Sequence, residues 1–214
     1  MEFRQAMTQT LAKMMQEDEK ICILDADLAK PNGTTPLYEQ FPNRCFDVGI
    51  AEANMIGIAA GLSAYGYKPI AFTFAPFATR RVCDQIAVSV AYAKQNVKIV
   101  GTDPGITAEL NGGTHMSFED VAVLRSIPNM IIYDAVDDIQ LSQAIEQIMK
   151  LDTSVYIRMP RKSAQPVFDK NYKFHLFKAD IIEEGTDVTI IATGIMVAEA
   201  KKAVELLKKG WNKC

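Results

Sequence analysis

Apolar residues recur at helical spacing over residues 2–17, where Phe3, Ala6, Met7, Thr10, Leu11 and Met14 share one face, so the chain opens on an amphipathic helix. Short, nearly continuous apolar runs follow at 21–24, 68–74, 97–101, 130–133 and 154–158. Helical stretches lie between them at 52–62, 84–93 and 139–149, with a further helix start near 117–120. Apolar strands alternating with helices predict an α/β fold, a mostly parallel sheet with helices on both faces. Residues 163–186 lack a firm period and read as a connector. The run 187–194 then predicts a new strand, followed by a turn and a helix over 197–209. One strand and one helix cannot bury a core alone. The expected organisation is therefore a domain over 1–162, a connector over 163–186 and the truncated beginning of a second α/β domain over 187–214.

The run 46–62 stands apart from this pattern. It reads as a strand end, a tight turn at Gly49 and a helix apolar almost all round, with a single acid, Glu52, in its first turn. A helix apolar on every side is expected to be buried on every side. Gly57 and Gly61, four residues apart on one face, would let another backbone approach closely. Two readings of Glu52 stand side by side. An acid in the first turn suits the macrodipole and can cap the helix, although the capping candidate Gly49 has no side chain to reciprocate. Alternatively, Glu52 is held ready for a buried partner, such as a ligand nitrogen able to share its proton.

Composition narrows the classes. The 214 residues are 49% hydrophobic and 23% charged with a net charge of −3, the balance of an ordinary globular protein. No basic excess points to nucleic acid or to an anionic membrane surface. Apolar runs such as 56–62 fall well short of the roughly 20 residues that span a bilayer. Two charges within the first five residues do not suit a signal peptide, so a cytoplasmic location is expected. The cysteines Cys22, Cys45, Cys83 and Cys214 form no C-x-x-C pair, which excludes a zinc site or a disulfide framework and leaves Cys22 and Cys45 as buried thiols.

Candidate chemistry clusters at the ends of the predicted strands, where open parallel sheets bind ligands. Asp25 and Asp27 close the first strand ahead of a polar, Pro/Gly-bearing loop over 30–35, as site residues or as turn builders. Phe74 and Phe77 flank a proline-marked switch from strand to helix, as core or as walls for a flat ligand. A glycine-rich loop over 102–115 ends at His115, which could serve a sugar oxygen or a proton transfer, or cap the helix beyond it. Asp137 and Asp138 are helix-start acids. Arg158 and Arg161 at the last strand end could fork onto a phosphate or form a solvated basic turn.

Taken in order, these segments resemble one enzyme family. The run D-V-G-I-A-E at 47–52, ahead of an Ala/Gly-rich helix, is similar to the segment of transketolases, deoxyxylulose phosphate synthases and 2-oxo acid dehydrogenase beta subunits that carries their cofactor-activating glutamate. T-F-x-x-F at 73–77 and the D-Q helix from Asp84 follow as they do there. G-x-T-H at 112–115 and L-R-S-I-P-N at 124–129 are specific to the transketolase and deoxyxylulose synthase group. The resemblance implies thiamine diphosphate as cofactor. It implies that Glu52 hydrogen-bonds the aminopyrimidine, that Phe74 and Phe77 seat that ring, and that Asp27, in an A-D-L triplet, approaches the thiamine from the same side. His115 would face the substrate, an arginine of R-x-P-R (Arg158 or Arg161) would hold a sugar phosphate, and the D-Q helix would lie at a subunit interface. Arg80 stands where many transketolases have a further aromatic, a departure in that wall of the pocket; two more bear on the sugars used, Asn111 where they have an aspartate that reads a sugar hydroxyl and Asp103 near the place of a second histidine.

No G-x-G-x-x-G, P-loop or G-D-G…N pattern occurs in the chain. No metal ligand is therefore expected here, and Mg2+ and the diphosphate would be held by a separate partner subunit. The resemblance favours the pyrimidine-binding subunit of a split transketolase, active only with its diphosphate-binding partner and self-associating into a dimer or heterotetramer. It would transfer a two-carbon ketol unit between sugar phosphates. Alternatives are another thiamine diphosphate enzyme, deoxyxylulose phosphate synthase-like or 2-oxo acid dehydrogenase beta-like, and a non-catalytic assembly module.

Overall fold

The computed structural model describes residues 1–211; Cys214, and the end of the expected second domain, lie outside the described residues. Strands β1 (Ile21–Asp25), β2 (Cys45–Asp47), β3 (Lys68–Phe74), β4 (Lys98–Thr102), β5 (Ile131–Asp134) and β6 (Val155–Met159) form an all-parallel sheet in the order β2-β1-β3-β4-β6-β5. Every residue of β1 and β4 is buried, as strands covered on both faces require. The helices are α1 (Phe3–Glu17), α2 (Ala29–Asn32), α3 (Thr35–Gln40), α4 (Glu52–Ala64), α5 (Ala75–Ala78), α6 (Cys83–Gln85), α7 (Asp120–Arg125), α8 (Asp138–Ile148) and α9 (Met196–Trp211). α6 runs on as a π-helix, Ile86–Tyr92.

Each face of the sheet has its own core. On one, Phe3, Met7, Leu11 and Met15 of α1 meet Leu141, Ala144, Ile145 and Ile148 of α8 over Ile23, Phe72 and Val100. Met15 is fully buried and Met14 only partly, a small rotation of the predicted face. On the other, Met55, Ile56 and Ala59 of α4 pack with Ile86, Val90 and Leu124 over Leu24, Ala71 and Ile99. Tyr156 of β6 lies flat in this second layer because Gly101 of β4 has no side chain: a Cβ there would come within 2.6 Å of Tyr156 Cε2 and 2.8 Å of Cζ. The Tyr156 hydroxyl donates to Asp120 Oδ2 at 3.0 Å.

Three local expectations are corrected. The polar loop over 30–35 is largely helical: α2 carries Pro31 in its first turns, where its missing N–H costs no hydrogen bond, and ends at Gly33 in a left-handed conformation (φ 80°). α4 is not buried all round. Met55, Ile56, Ala59 and Ala60 are buried, while Ala53, Asn54, Gly57, Ile58 and Gly61 are exposed, and nothing lies within 4 Å of a Cβ built at either glycine. Residues 187–193 form no strand, because no neighbouring strand offers them a ladder; Val188, Ile190 and Ile191 are exposed, and among the described residues of that unit the helix α9 is the regular element.

The segment over 163–195 is irregular yet attached. Asp137, the N-cap of α8, accepts from Gln140 N and also from the backbone N–H groups of Val167 and Phe168. Farther along α8, Gln143 Nε2 donates to Tyr172 O and its Oε1 accepts from Phe174 N; Gln147 repeats the pattern with Phe174 O and Leu176 N. Phe174 then sits edge-on against Tyr133, with ring centroids 5.8 Å apart.

At the carboxyl end of β1, Asp25 is completely buried and accepts from Asn32 Nδ2 (3.1 Å), Thr34 Oγ1 (2.7 Å) and Tyr38 OH (3.3 Å). Thr102 Oγ1 of β4 donates to Asn32 Oδ1 at 2.9 Å, which extends the network across the sheet. Burial pushes the Asp25 carboxyl up to about 6, against the pull of its three donors.

Two expected outcomes follow from this packing. Gly101→Ala drives a methyl group into the Tyr156 ring and lowers the unfolding free energy by about 1–3 kcal/mol; an unchanged urea midpoint would refute the contact. Asp25 holds its proton more tightly in the folded chain than in the unfolded one, so its contribution is full below about pH 4 and is lost as the pH rises through about 6. Urea titrations across that window should show the stability of the parent relative to Asp25→Asn falling by about 3 kcal/mol, then levelling off.

Candidate active site

β2 lies on one side of β1 and β3 on the other, so the chain reverses direction at β1 and opens a crevice beyond the carboxyl ends of these strands. Asp47, the last residue of β2, organises this edge. Its Oδ1 accepts from Gly49 N and from Asp27 N, both at 2.9 Å, tying the turn after β1 to the turn that starts α4. Gly49 takes φ 73°, and Ala51 is the N-cap. Glu52 is thereby delivered as the first residue of α4 with 4% of its surface exposed. Its carboxylate accepts from Arg81 Nη1 at 2.6 Å, so the side chain serves an ion pair rather than a cap.

Arg81 leads on to an aromatic group. Its guanidinium lies over the Phe77 ring, 3.8 Å from the centroid. Phe77 and Phe74 are 6.1 Å apart, and the His115 ring stands edge-on to both, at 5.2 and 5.6 Å. On the far side the Arg161 guanidinium lies 4.8 Å from the Phe74 centroid. Glu52, Phe74, Phe77, His115 and Arg161 are thus brought together from four separate segments, with an acid at one end and a cation at the other.

The loop over 102–115 holds His115 at some conformational expense. Asp103 (φ 52°) and Glu109 (φ 48°, ψ −118°) have side chains yet take positive φ, and Glu109 lies in a sparsely allowed region that costs about 1–3 kcal/mol. Asp103 is buried, which raises its pKa, and its Oδ1 accepts from Arg161 N at 2.9 Å while Oδ2 pairs with Arg161 Nε. His115 Nδ1 bonds Thr114 Oγ1 at 2.9 Å rather than the backbone of α7. Arg80 clasps the same loop, through Glu119 Oε1 at 2.8 Å and Thr114 O at 3.3 Å.

Other predicted residues stand apart from this group. Arg158 is committed elsewhere: its Nε donates to Asp120 Oδ2 at 2.7 Å and its Nη1 to Asp134 at 3.3 Å. Burial works against its charge, but the two carboxylates outweigh burial and raise its pKa. Asp27 is exposed, with φ 59° and its N–H on Asp47. Asn111 is exposed at the end of a short 3-10 segment. Arg81, Asp47 and Asp103 acquire site roles that periodicity does not signal; the adjacent Arg80 and Arg81 beside buried Val82 were the visible trace of the first. Among the described residues no group of three or more His, Cys, Asp or Glu could hold a metal ion, and no helix is long and apolar enough to cross a membrane.

Comparison with known proteins agrees with this arrangement. The family model described as transketolase, pyrimidine binding domain, matches residues 1–166, and that of the transketolase C-terminal domain matches 177–213. The 6-deoxy-6-sulfo-D-fructose transketolase subunit SqwH of Clostridium sp. (strain MSTE9) is 53% identical over 95% of this chain and 63% of its own length. A putative transketolase C-terminal section from Methanocaldococcus jannaschii is 39% identical over 96% of this chain and 66% of its own length. The chain thus spans about two thirds of the length of these relatives. A solved structure titled split gene transketolase, inactive beta4 tetramer, superposes with a TM-score of 0.88 at 38% identity, covering 98% of this chain and 68% of that one. The chain belongs to the transketolase family, in the part that carries its pyrimidine-binding domain.

Proposed function

We propose that this chain is the pyrimidine-binding subunit of a split transketolase, working with thiamine diphosphate and with a partner subunit that carries the diphosphate and Mg2+ site. The observation that carries the reading is the buried Glu52 carboxylate, joined through the Arg81 guanidinium to Phe77 and so to the Phe74 and His115 rings. An acid next to aromatic faces is a donor set suited to a flat, protonatable heterocycle. On this reading residues 1–162 form the pyrimidine-binding domain, 163–186 the connector and 187–214 part of the C-terminal domain.

When bound, thiamine diphosphate supplies a carbon nucleophile that accepts and releases the two-carbon unit. Glu52 holds a proton against the ring nitrogen of the pyrimidine. Phe74 and Phe77 seat the ring and exclude water, with Asp27 at the rim. His115 donates to a substrate oxygen, with Asn111 beyond it, and Arg161 attracts the anionic end of the sugar. Arg158, held by Asp120 and Asp134 as Arg161 is held by Asp103, is the alternative cation for that role. One carbon–carbon bond of the donor ketose breaks and one forms to the acceptor aldehyde, without net oxidation. The relative named for 6-deoxy-6-sulfo-D-fructose favours a donor ketose with a sulfonate or phosphate terminus, since both present oxyanions to a guanidinium. The exposed Gly57–Gly61 face of α4, with Val88 and Tyr92 of the π-helix also exposed, is the surface on which a second copy would pack. The free cysteines Cys22 and Cys45, buried and pushed up to about 12 by that burial, suit a cytoplasmic setting.

Mixed with the diphosphate-binding subunit, thiamine diphosphate and Mg2+, the chain should turn over a ketose with an anionic terminus and an aldose phosphate, whereas either subunit alone should not. Glu52→Gln should lower kcat by about 10²–10⁴ while leaving the thermal midpoint within a few degrees of the parent; full activity in that variant would exclude the assignment. Gly61→Leu should split the assembly into smaller species on size-exclusion chromatography with light scattering, and an unchanged mass would remove the α4 face from the interface.

A further inference from the structure

Arg81 makes, by itself, the two contacts that the proposed function assigns to the cofactor's pyrimidine. Its Nη1 donates to Glu52 Oε1 at 2.6 Å, and its guanidinium sits over Phe77 with Cζ 3.8 Å from the ring centroid. A guanidinium is planar, delocalised and rich in N–H donors, and it stacks on aromatic faces, so it imitates a protonated aminopyrimidine in both shape and charge. The two ends of this contact differ in burial. The Glu52 side chain is 5% exposed and the Arg81 side chain 45%. The carboxylate is therefore fixed, while the arginine can swing into solvent without stranding a buried cation.

We propose, resting on the cofactor reading above, that Arg81 is a latch: in the free chain it occupies the pyrimidine's place on Glu52 and Phe77, and the cofactor must displace it. The latch keeps the buried carboxylate paired before the site is assembled, since an uncompensated buried charge is destabilising. It also sets a threshold for loading. Arg80, its neighbour in sequence, holds Glu119 and Thr114 instead and leaves the latch position to Arg81. Phe77, still in contact with His115, stays in place when the guanidinium leaves.

The test is calorimetric titration of thiamine diphosphate, with Mg2+, into the complex of this chain with its diphosphate-binding partner. Arg81→Gln should lower the Kd about tenfold, equivalent to about 1.4 kcal/mol, the scale of a half-exposed ion pair together with a cation–π contact. Arg81→Lys, which keeps the charge but loses the plane, should fall between Gln and the parent and stands in if the glutamine variant does not fold. In a Glu52→Gln background the same Arg81 substitution should change the Kd by less than about threefold, because the latch has lost its main anchor. Equal or weaker binding by folded Arg81 variants overturns the latch while leaving the cofactor assignment standing. Absence of binding by the parent and by every variant overturns that assignment, and the latch with it.

Discussion

Four of the six strands end on, or immediately before, an aspartate: Asp25 after Leu24, Asp47 after Phe46, Asp103 after Thr102 and Asp134 after Tyr133. Parallel strands all release their chains at the same edge, where loop N–H groups and hydroxyls have no ladder to join. The aspartates meet that demand: Asp25 gathers Asn32, Thr34 and Tyr38, Asp47 gathers Asp27 and Gly49, and Asp103 gathers Arg161. So much negative charge at one edge calls for compensation, and β6 and its turn provide it. Arg158 faces Asp120 and Asp134, while Arg161 faces Asp103. The crevice owes part of its form to this exchange: the turn after β1 is held by Asp47 of β2, and the turn after β6 by Asp103 beyond β4.

The distribution of cations explains why two arginines three residues apart have different standing. Arg158 lies within β6 and faces buried Asp120 and half-buried Asp134, so its charge holds α7 and β5 together. Arg161 lies beyond the strand, where the backbone is free to turn its side chain over Phe74. The aromatic group is therefore bracketed by two guanidiniums, Arg81 on Phe77 and Arg161 on Phe74, each also paired with a buried acid.

Much of the sheet was legible because a strand buried on both faces must be apolar nearly throughout, and 21–24, 68–74, 97–101, 130–133 and 154–158 are. The D-V-G-I-A-E, T-F-x-x-F and G-x-T-H runs likewise marked the segments that meet at the crevice. What the sequence hid is what depends on neighbours. The all-apolar α4 reads as buried throughout because composition cannot separate a face covered by its own chain from one left open, and Gly57 and Gly61 lie on the open side. The run 187–193 has strand character, but a strand is a property of a pair. The pairing of Arg158 depends on acids, Asp120 and Asp134, that lie 38 and 24 residues away along the chain.

The glutamine pair on α8 gives the irregular segment a register. Gln143 and Gln147, one helical turn apart, present amide groups spaced like alternate peptides of a strand, and residues 172–176 lie along them as they would along a sheet edge. A slip of two residues would restore every amide bond but would carry Phe174 away from Tyr133. The amides thus count in steps of two and the aromatic ring chooses the step. Together they work as a ruler that meters how much chain is paid out between β6 and α9.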